Sequence, residues 1–226
     1  IKEDDTIPDE TTICKFRNAL IKNNLLESIF LEVKNSMIKN NLILNEGTLV
    51  DATLIHSSEP KRKKDENGKT ISNKANDEDA SYTSKRGRKH HGYKIHIATD
   101  TNSIIKEVIT TTAKTHDSTQ FDELIKDETK AVFADSGYMS QERKRTLRSK
   151  GIFNGITERR VRGQSKLRTK QSKNNTKFSK VRALVELPFA FIKKLMKYTE
   201  TKYLGLHKNS QHVFLIAAAY NLRRMP

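Results

Sequence analysis

Apolar positions recur at helical spacing through the first forty residues, at Phe16, Leu20, Leu25, Ile29, Phe30, Val33 and Met37. The pattern predicts one helix starting near Asp9, where Asp9, Glu10, Thr11 and Thr12 offer N-capping chemistry, and a second ending near Asn40–Asn41. In NEGTLVDATLIHSS the spacing tightens to a short apolar run of strand length, Leu49, Val50, Ala52, Leu54 and Ile55. Residues 57–91 are dense in charge and poor in large apolar residues, which predicts a long mobile loop. GYKIHIATD and SIIKEVITTTA then read as two strands of a hairpin turning at Thr101-Asn102.

Beyond the hairpin, HDSTQFDELIKD predicts a helix with Asp117 as N-cap and Gln120 closing a capping box. KAVFADSGY is a short strand ending in Asp-Ser-Gly, SQERKRTLRSKG a polar helix closed by Gly151, and IFNGIT a last strand. Residues 159–177 lack periodicity and read as a basic connector. FSKVRALVELPFAFIKKLMKY is one helix and SQHVFLIAAAYNLRRM a final apolar one. A hairpin followed by strands alternating with helices implies a mixed sheet covered by helices, in the α/β or α+β range. No internal repeat is visible. The expectation is one main domain plus a small N-terminal piece.

Within the penultimate helix, 3.6 residues per turn keeps Arg182, Glu186 and Lys193 on roughly one face, beside Val185, Phe189 and Ile192. A carboxylate turned toward a core needs a partner. Pro188 would free the carbonyl of Leu184 and kink the helix just past Glu186.

Charge sharpens this picture. The formal charge of +16 is unevenly spread: residues 1–137 hold 21 Lys+Arg against 23 Asp+Glu, and residues 138–226 hold 22 against 4. An excess of +18 on the second half, interleaved with Tyr138, Phe178, Tyr198 and Tyr203, points to nucleic acid over a merely solvated surface. The single Cys14 cannot form an internal disulfide, and no apolar run approaches the roughly 20 residues of a membrane span, so a reducing cytosol and no membrane partner are expected.

Three carboxylates stand out. Asp51 interrupts the strand LVDATLI, Asp135 ends the strand AVFAD where open sheets place ligands, and Glu186 lies on the helix face described above. Each also has a local reading: strand alternation turns Asp51 to solvent, Asp135 starts a turn, and Glu186 pairs with Arg182. Together, carboxylates from separate elements are what a hard divalent cation requires, and two such ions roughly 3.5–4 Å apart clamp an in-line phosphoryl displacement. A basic half beside such a site fits a nuclease or a strand-transfer enzyme.

GTLVDATLI, GYKIHIATD, THDSTQFDELI, VFADSGY and KVRALVELPFAFIK, in that order, resemble the DDE transposases of bacterial insertion sequences, in particular the insertion-sequence-five family. YLGLHKNSQHVFLIAAAYNL resembles the same family's C-terminus, so the likeness runs from about PDETTICKFR onward. The resemblance implies a ribonuclease-H-like mixed sheet flanked by helices over residues 46–226, with 1–45 the remnant of an N-terminal helical region that is otherwise truncated. Asp51, Asp135 and Glu186 fall on the family's three catalytic, metal-binding positions. Arg182 and Lys193 match the family's Arg and Lys flanking the Glu, whereas Ser179 stands where a Tyr is usual.

The likeness further implies a transposase that cuts DNA at transposon ends and joins the 3′-hydroxyl to target DNA. It would use Mg²⁺, with Mn²⁺ as a substitute, and work as a homodimer on DNA in the bacterial cytoplasm, associated with the nucleoid. Arg182, Lys193, Lys194, Arg159, Arg160, Arg162 and Lys94 are the expected DNA contacts. Three rivals stay open: a ribonuclease-H-like nuclease without joining, an inactive remnant that only binds DNA, and a structural RNA-binding protein. Of the other polar residues, Asp117 is expected to cap, Asp100 to make a turn, His90-His91 to face DNA and Tyr138 to pack.

Overall fold

The computed structural model describes residues 7–59, 62–64, 67, 70–72, 77–85, 87–125, 129–160 and 163–225. Two helices, α1 (Glu10–Lys22) and α2 (Leu25–Lys39), open the chain as the periodicity predicts. Asp9 caps α1, its carboxylate accepting from the Thr12 amide at 2.6 Å. β1 (Thr48–His56) follows.

β1 is the middle of the main sheet. On one side it pairs antiparallel with β5 (Arg88–Thr99), and on the other it runs parallel to β7 (Ala131–Ala134), which pairs in parallel with β8 (Phe153–Asn154). β6 (Ile105–Thr112) returns antiparallel along β5. With β4 (Ser81–Lys85) also on β5, this is a six-stranded mixed sheet flanked by helices, as in ribonuclease-H-like folds.

The hairpin between β5 and β6 is fixed by Asp100. Its buried carboxylate accepts from the amides of Asn102 at 2.9 Å, Ile104 at 2.8 Å and Leu44 at 2.9 Å, which confirms a turn role.

One sheet face packs Ile55, Ile95, Ile97 and Val108 against Phe30 of α2 and Val213, Ile216 and Ala217 of α7 (Leu206–Arg224). Asn221 fastens α7 to the sheet, its side chain bonding both the amide and the carbonyl of Ile105. The other face packs Val50, Ala98, Val132 and Ala134 against Phe121 and Leu124 of α3 (Phe121–Leu124) and Leu147 of α4 (Gln141–Ser149). No helix among the described residues is long and apolar enough to cross a membrane.

Four expectations are corrected. The charged stretch 57–91 is not all loop: Arg62–Lys64 (β2) pairs with Thr70–Ser72 (β3), β4 follows, and β5 already begins at Arg88. Gly92 allows the chain to pass there. At φ +146° a Cβ on it would stand 2.2 Å from the Ile55 carbonyl oxygen, so this crossing accepts only glycine.

The basic connector is shorter than 159–177, because α5 (Thr169–Arg182) already covers its last nine positions. Gln171 helps to start it, its carboxamide accepting from the Arg168 amide at 3.0 Å, and Phe178 packs edge-on against Phe133 and Phe153.

The third correction concerns the helix around Glu186, which is not continuous. After α5 come a 3₁₀ turn (Ala183–Val185), a short α6 (Glu186–Ala190) and a π-turn (Phe191–Leu195). Pro188 cannot donate to the Leu184 carbonyl, and the Ser103 hydroxyl donates to it instead at 2.9 Å.

Finally, Asp117 does not cap the turn that precedes α3. The His116 ring does, accepting from the Ser118 amide at 3.3 Å at the start of a 3₁₀ turn (Asp117–Gln120).

Candidate active site

Parallel pairing of β1 with β7 sets Val50 beside Ala134, so Asp51, the next residue of β1, neighbours Asp135, the residue that follows β7. They meet where β7 ends and the chain turns into Ser136–Tyr138. Asp51 is half-buried. Its Oδ1 accepts from the Ala52 amide at 2.8 Å, and its Oδ2 faces Arg182 Nη1 at 3.5 Å. Asp135 is exposed, and its Oδ1 accepts from the Ser136 amide at 2.6 Å with the Thr157 hydroxyl at 3.5 Å.

Burial raises the pKa of Asp51, and the neighbouring Asp135 carboxylate adds to the rise; the Ala52 amide, Arg182 and Lys85 oppose it. Two acids that repel one another where β7 ends beside β1 are a pair that a cation would relieve, and their oxygens are the hard donors a divalent ion takes. The residues therefore fit such an ion as far as two ligands go. Among the described residues no three His, Cys, Asp or Glu side chains converge closely enough to hold a metal.

Glu186 is the carboxylate not gathered in. It is the first residue of α6 and exposed, not half-buried as helical spacing suggested. The 3₁₀ turn before it changes the angular step, leaving Val185, Pro188 and Ile192 buried and Glu186 outside. Arg182, four residues earlier, does reach the site through its ion pair with Asp51.

The site has a polar floor. Tyr138 is buried against Phe121 at 5.9 Å between ring centres, as packing predicted; burial and the fields of Asp117, Asp51 and Asp135 all raise its pKa. Arg143 secures it, bonding the Tyr138 carbonyl, donating to the Ser118 carbonyl at 2.9 Å and lying 4.2 Å over the Phe121 ring. Lys94 Nζ meets Asp117 Oδ1 at 2.8 Å and donates to the Thr115 carbonyl at 2.6 Å. Next to it His96 is buried, with Nε2 2.9 Å from the Thr111 hydroxyl and its pKa pushed down by burial to about 4.

The other expected DNA contacts are dispersed. Arg159 is exposed beside Asp135, its Nε donating to the Ser136 hydroxyl at 2.9 Å; exposed Arg160 donates to the Ser165 carbonyl at 3.0 Å. Lys194 is exposed and Lys193 half-buried, the latter with its pKa lowered by burial and by Lys85. Arg162 lies outside the described residues. Of the two histidines expected to face DNA, His91 is buried with its ring 4.6 Å from that of Tyr82, and His90 is half-buried, 5.1 Å from the ring of exposed His56.

Sequence reasoning missed Lys85 and Arg143. Lys85 sits on a strand with no apolar alternation, and Arg143 acts on backbone carbonyls, a role that no spacing reveals.

A family model described as transposase DDE domain matches residues 44–222. No solved structure matches the chain.

Proposed function

The chain belongs to the DDE-domain transposases, a family of DNA-cutting enzymes, and on that premise we propose that it nicks DNA at the ends of a bacterial insertion sequence of the insertion-sequence-five kind and transfers the freed 3′-hydroxyl into target DNA. The observation that carries this reading is the register of β1 and β7, which sets Asp51, within β1, next to Asp135, the residue that follows β7.

In this proposal Asp51, Asp135 and Glu186 hold Mg²⁺, for which Mn²⁺ substitutes. When bound, such an ion supplies a Lewis acid that activates water or a 3′-hydroxyl and offsets charge at the phosphate. Asp51 and Asp135 would hold that ion from the sheet and Glu186 from α6, four residues from an Arg182 already tied to Asp51. Arg159, exposed beside Asp135, and Lys193, Lys194 and Arg160 hold flanking phosphates. Arg162 and Lys94 are assigned there as well, Lys94 through its place beside Asp51's strand. No protein–DNA covalent step is needed, because water and the 3′-hydroxyl are the nucleophiles. A homodimer would bring two ends together.

The test is cleavage of a labelled duplex carrying the element's end, with Mg²⁺ or Mn²⁺ against EDTA. Metal-dependent nicks and joined products are expected. Nicks without joined products would reduce the reading to a nuclease, and binding without nicks to a remnant.

A further inference from the structure

Beside β1, one residue from Asp51, lies a small cavity of about 150 Å³ lined by Ala52, Thr53, Thr83, Ser84, Lys85 and Lys94, with Asp117 and Leu54 completing its wall. It is several times the roughly 30 Å³ that one water occupies in the liquid. We propose that this cavity seats one phosphodiester group of the bound DNA strand, with Lys85 as its charged anchor and the Thr53, Thr83 and Ser84 hydroxyls as donors. The inference rests on the reading of the chain as a DNA enzyme and adds to it Lys85 and the hydroxyls of β4 and Thr53, none of them among the expected contacts, with Lys94 held in the wall by Asp117.

Charge balance favours an anion of this kind. Lys94 and Asp117 are paired at 2.8 Å and offset one another, so Lys85 leaves the cavity with a net charge of about one, the charge of a phosphodiester. Lys85 also stands near a second cation. After burial, the charge of Lys85 is what lowers the pKa of Lys193. Among the described residues neither lysine has a carboxylate within ion-pair distance. Folding sets Lys85 in the field of Lys193, and an anion seated at Lys85 offsets that repulsion.

The local fold supplies the reason Lys85 is there. β4 carries the sequence SYTSK, which offers no apolar face to a core, yet it is paired residue by residue with Arg88–Gly92 and so lies against β1's partner strand. Its first residue is used structurally, the Ser81 hydroxyl accepting from the Lys114 amide at 2.8 Å. The later residues of β4 place hydroxyls and an ammonium group over Thr53, two positions from Asp51.

The test is binding of a fluorescent duplex to the whole chain in EDTA, measured across a series of salt concentrations for wild type, Lys85→Ala, Lys85→Arg and, as a control, Lys39→Ala at the exposed end of α2. One phosphate contact contributes about 0.9 to the slope of log K against log salt. Lys85→Ala is expected to lower that slope by about this amount with several-fold weaker binding, Lys85→Arg to restore both, and Lys39→Ala to leave the slope unchanged. A wild-type slope in Lys85→Ala overturns the proposal, as does an equal loss in Lys39→Ala, which would mean a diffuse field and no seat. The readout needs no chemistry. A chain that binds through Lys85 and never cuts would overturn the proposed function and leave the phosphate seat standing.

Discussion

The two ends of the site are built differently. Asp51 and Asp135 project from neighbouring strands whose register is set by backbone pairing along β1 and β7, and each has one oxygen held by a local amide. Glu186 rides instead on a segment that passes from α-helix through a 3₁₀ turn and a short α-helix to a π-turn within 14 residues, from Arg182 to Leu195. Strand pairing in the centre of a sheet leaves little freedom, because a slip of one residue would turn every side chain to the other face. A helix broken in this way has several joints at which a few degrees of backbone rotation move the carboxylate it carries. The sheet thus presets two acids, and the helical segment decides whether the third joins them.

The largest expected effect separates these two contributions. If the two aspartates hold the ion as proposed, Asp135→Ala or Asp51→Ala should reduce metal-dependent cutting by roughly 10³-fold, since losing a ligand removes several kcal/mol of transition-state stabilisation. DNA binding should stay within a few-fold of wild type. Glu186→Gln should give a comparable loss if α6 delivers its carboxylate to the reaction. Cutting by Glu186→Gln at the wild-type rate would sink Glu186 as the third acid while leaving the strand pair intact.

How much of this is legible in the sequence depends on the kind of contact. β1, the β5–β6 hairpin, β7 and α7 carry apolar periodicity and are readable, as are the two aspartates that interrupt or end strands. β4 and the first half of α5 bury few apolar side chains of their own. One is held by backbone pairing to β5, and the other starts from the Gln171–Arg168 contact and the packing of Phe178. Neither leaves a periodic trace. The exposure of Glu186 is also hidden, because the partner that accommodates Pro188 is Ser103, 81 residues from Leu184 in sequence.

That long-range contact offers a smaller and sharper perturbation. Pro188→Ala restores an amide donor for the Leu184 carbonyl and should favour a continuous helix from α5 through α6, turning Glu186 toward the face that helical spacing assigns it. The expected outcome is a changed cutting rate with an unchanged Asp51–Arg182 tie, and a gain of stability of about 1 kcal/mol or more from removing a mid-helix proline. Ser103→Ala should instead cost about 1 kcal/mol, the net worth of one hydrogen bond. If Pro188→Ala altered neither cutting nor stability, the broken geometry would have no bearing on Glu186.

A third test addresses the strand pair through pH. The pKa of Asp51 is raised in the folded chain, chiefly by burial and then by Asp135, above its ordinary 3.8. A raised folded pKa means that the proton is held more tightly when folded, so its stabilising contribution is complete below 3.8 and is lost as pH rises through the folded value. Without metal, Asp51→Asn should therefore melt at a higher temperature than wild type at pH 7, with the gain fading as pH approaches 3.8. Divalent cation should stabilise wild type and not the variant. An Asp51→Asn protein that melts lower than wild type at pH 7 would show that the Ala52 and Arg182 contacts outweigh burial and the repulsion between the two acids.

The smallest effect concerns the floor beneath them. His96 is buried and neutral, with its pKa lowered from 6.5 to about 4 by burial, while Asp117 pulls the other way. A depressed folded pKa contributes stability that is present above 6.5 and is lost as pH falls through about 4. His212, half-buried on α7 with its ring against Tyr198 and Tyr203, has its pKa lowered likewise to about 4, chiefly by burial. Replacing His96 by Gln should flatten part of the acid limb of the stability curve between these values and leave the contribution of His212 in place. If both histidines belong to one cooperative unit, local exchange of amides in β5 and in α7 will rise together as pH falls. If protection in β5 is lost first, His96 is the weaker point, and acid reaches the strand that flanks Asp51 before it reaches the helix behind it.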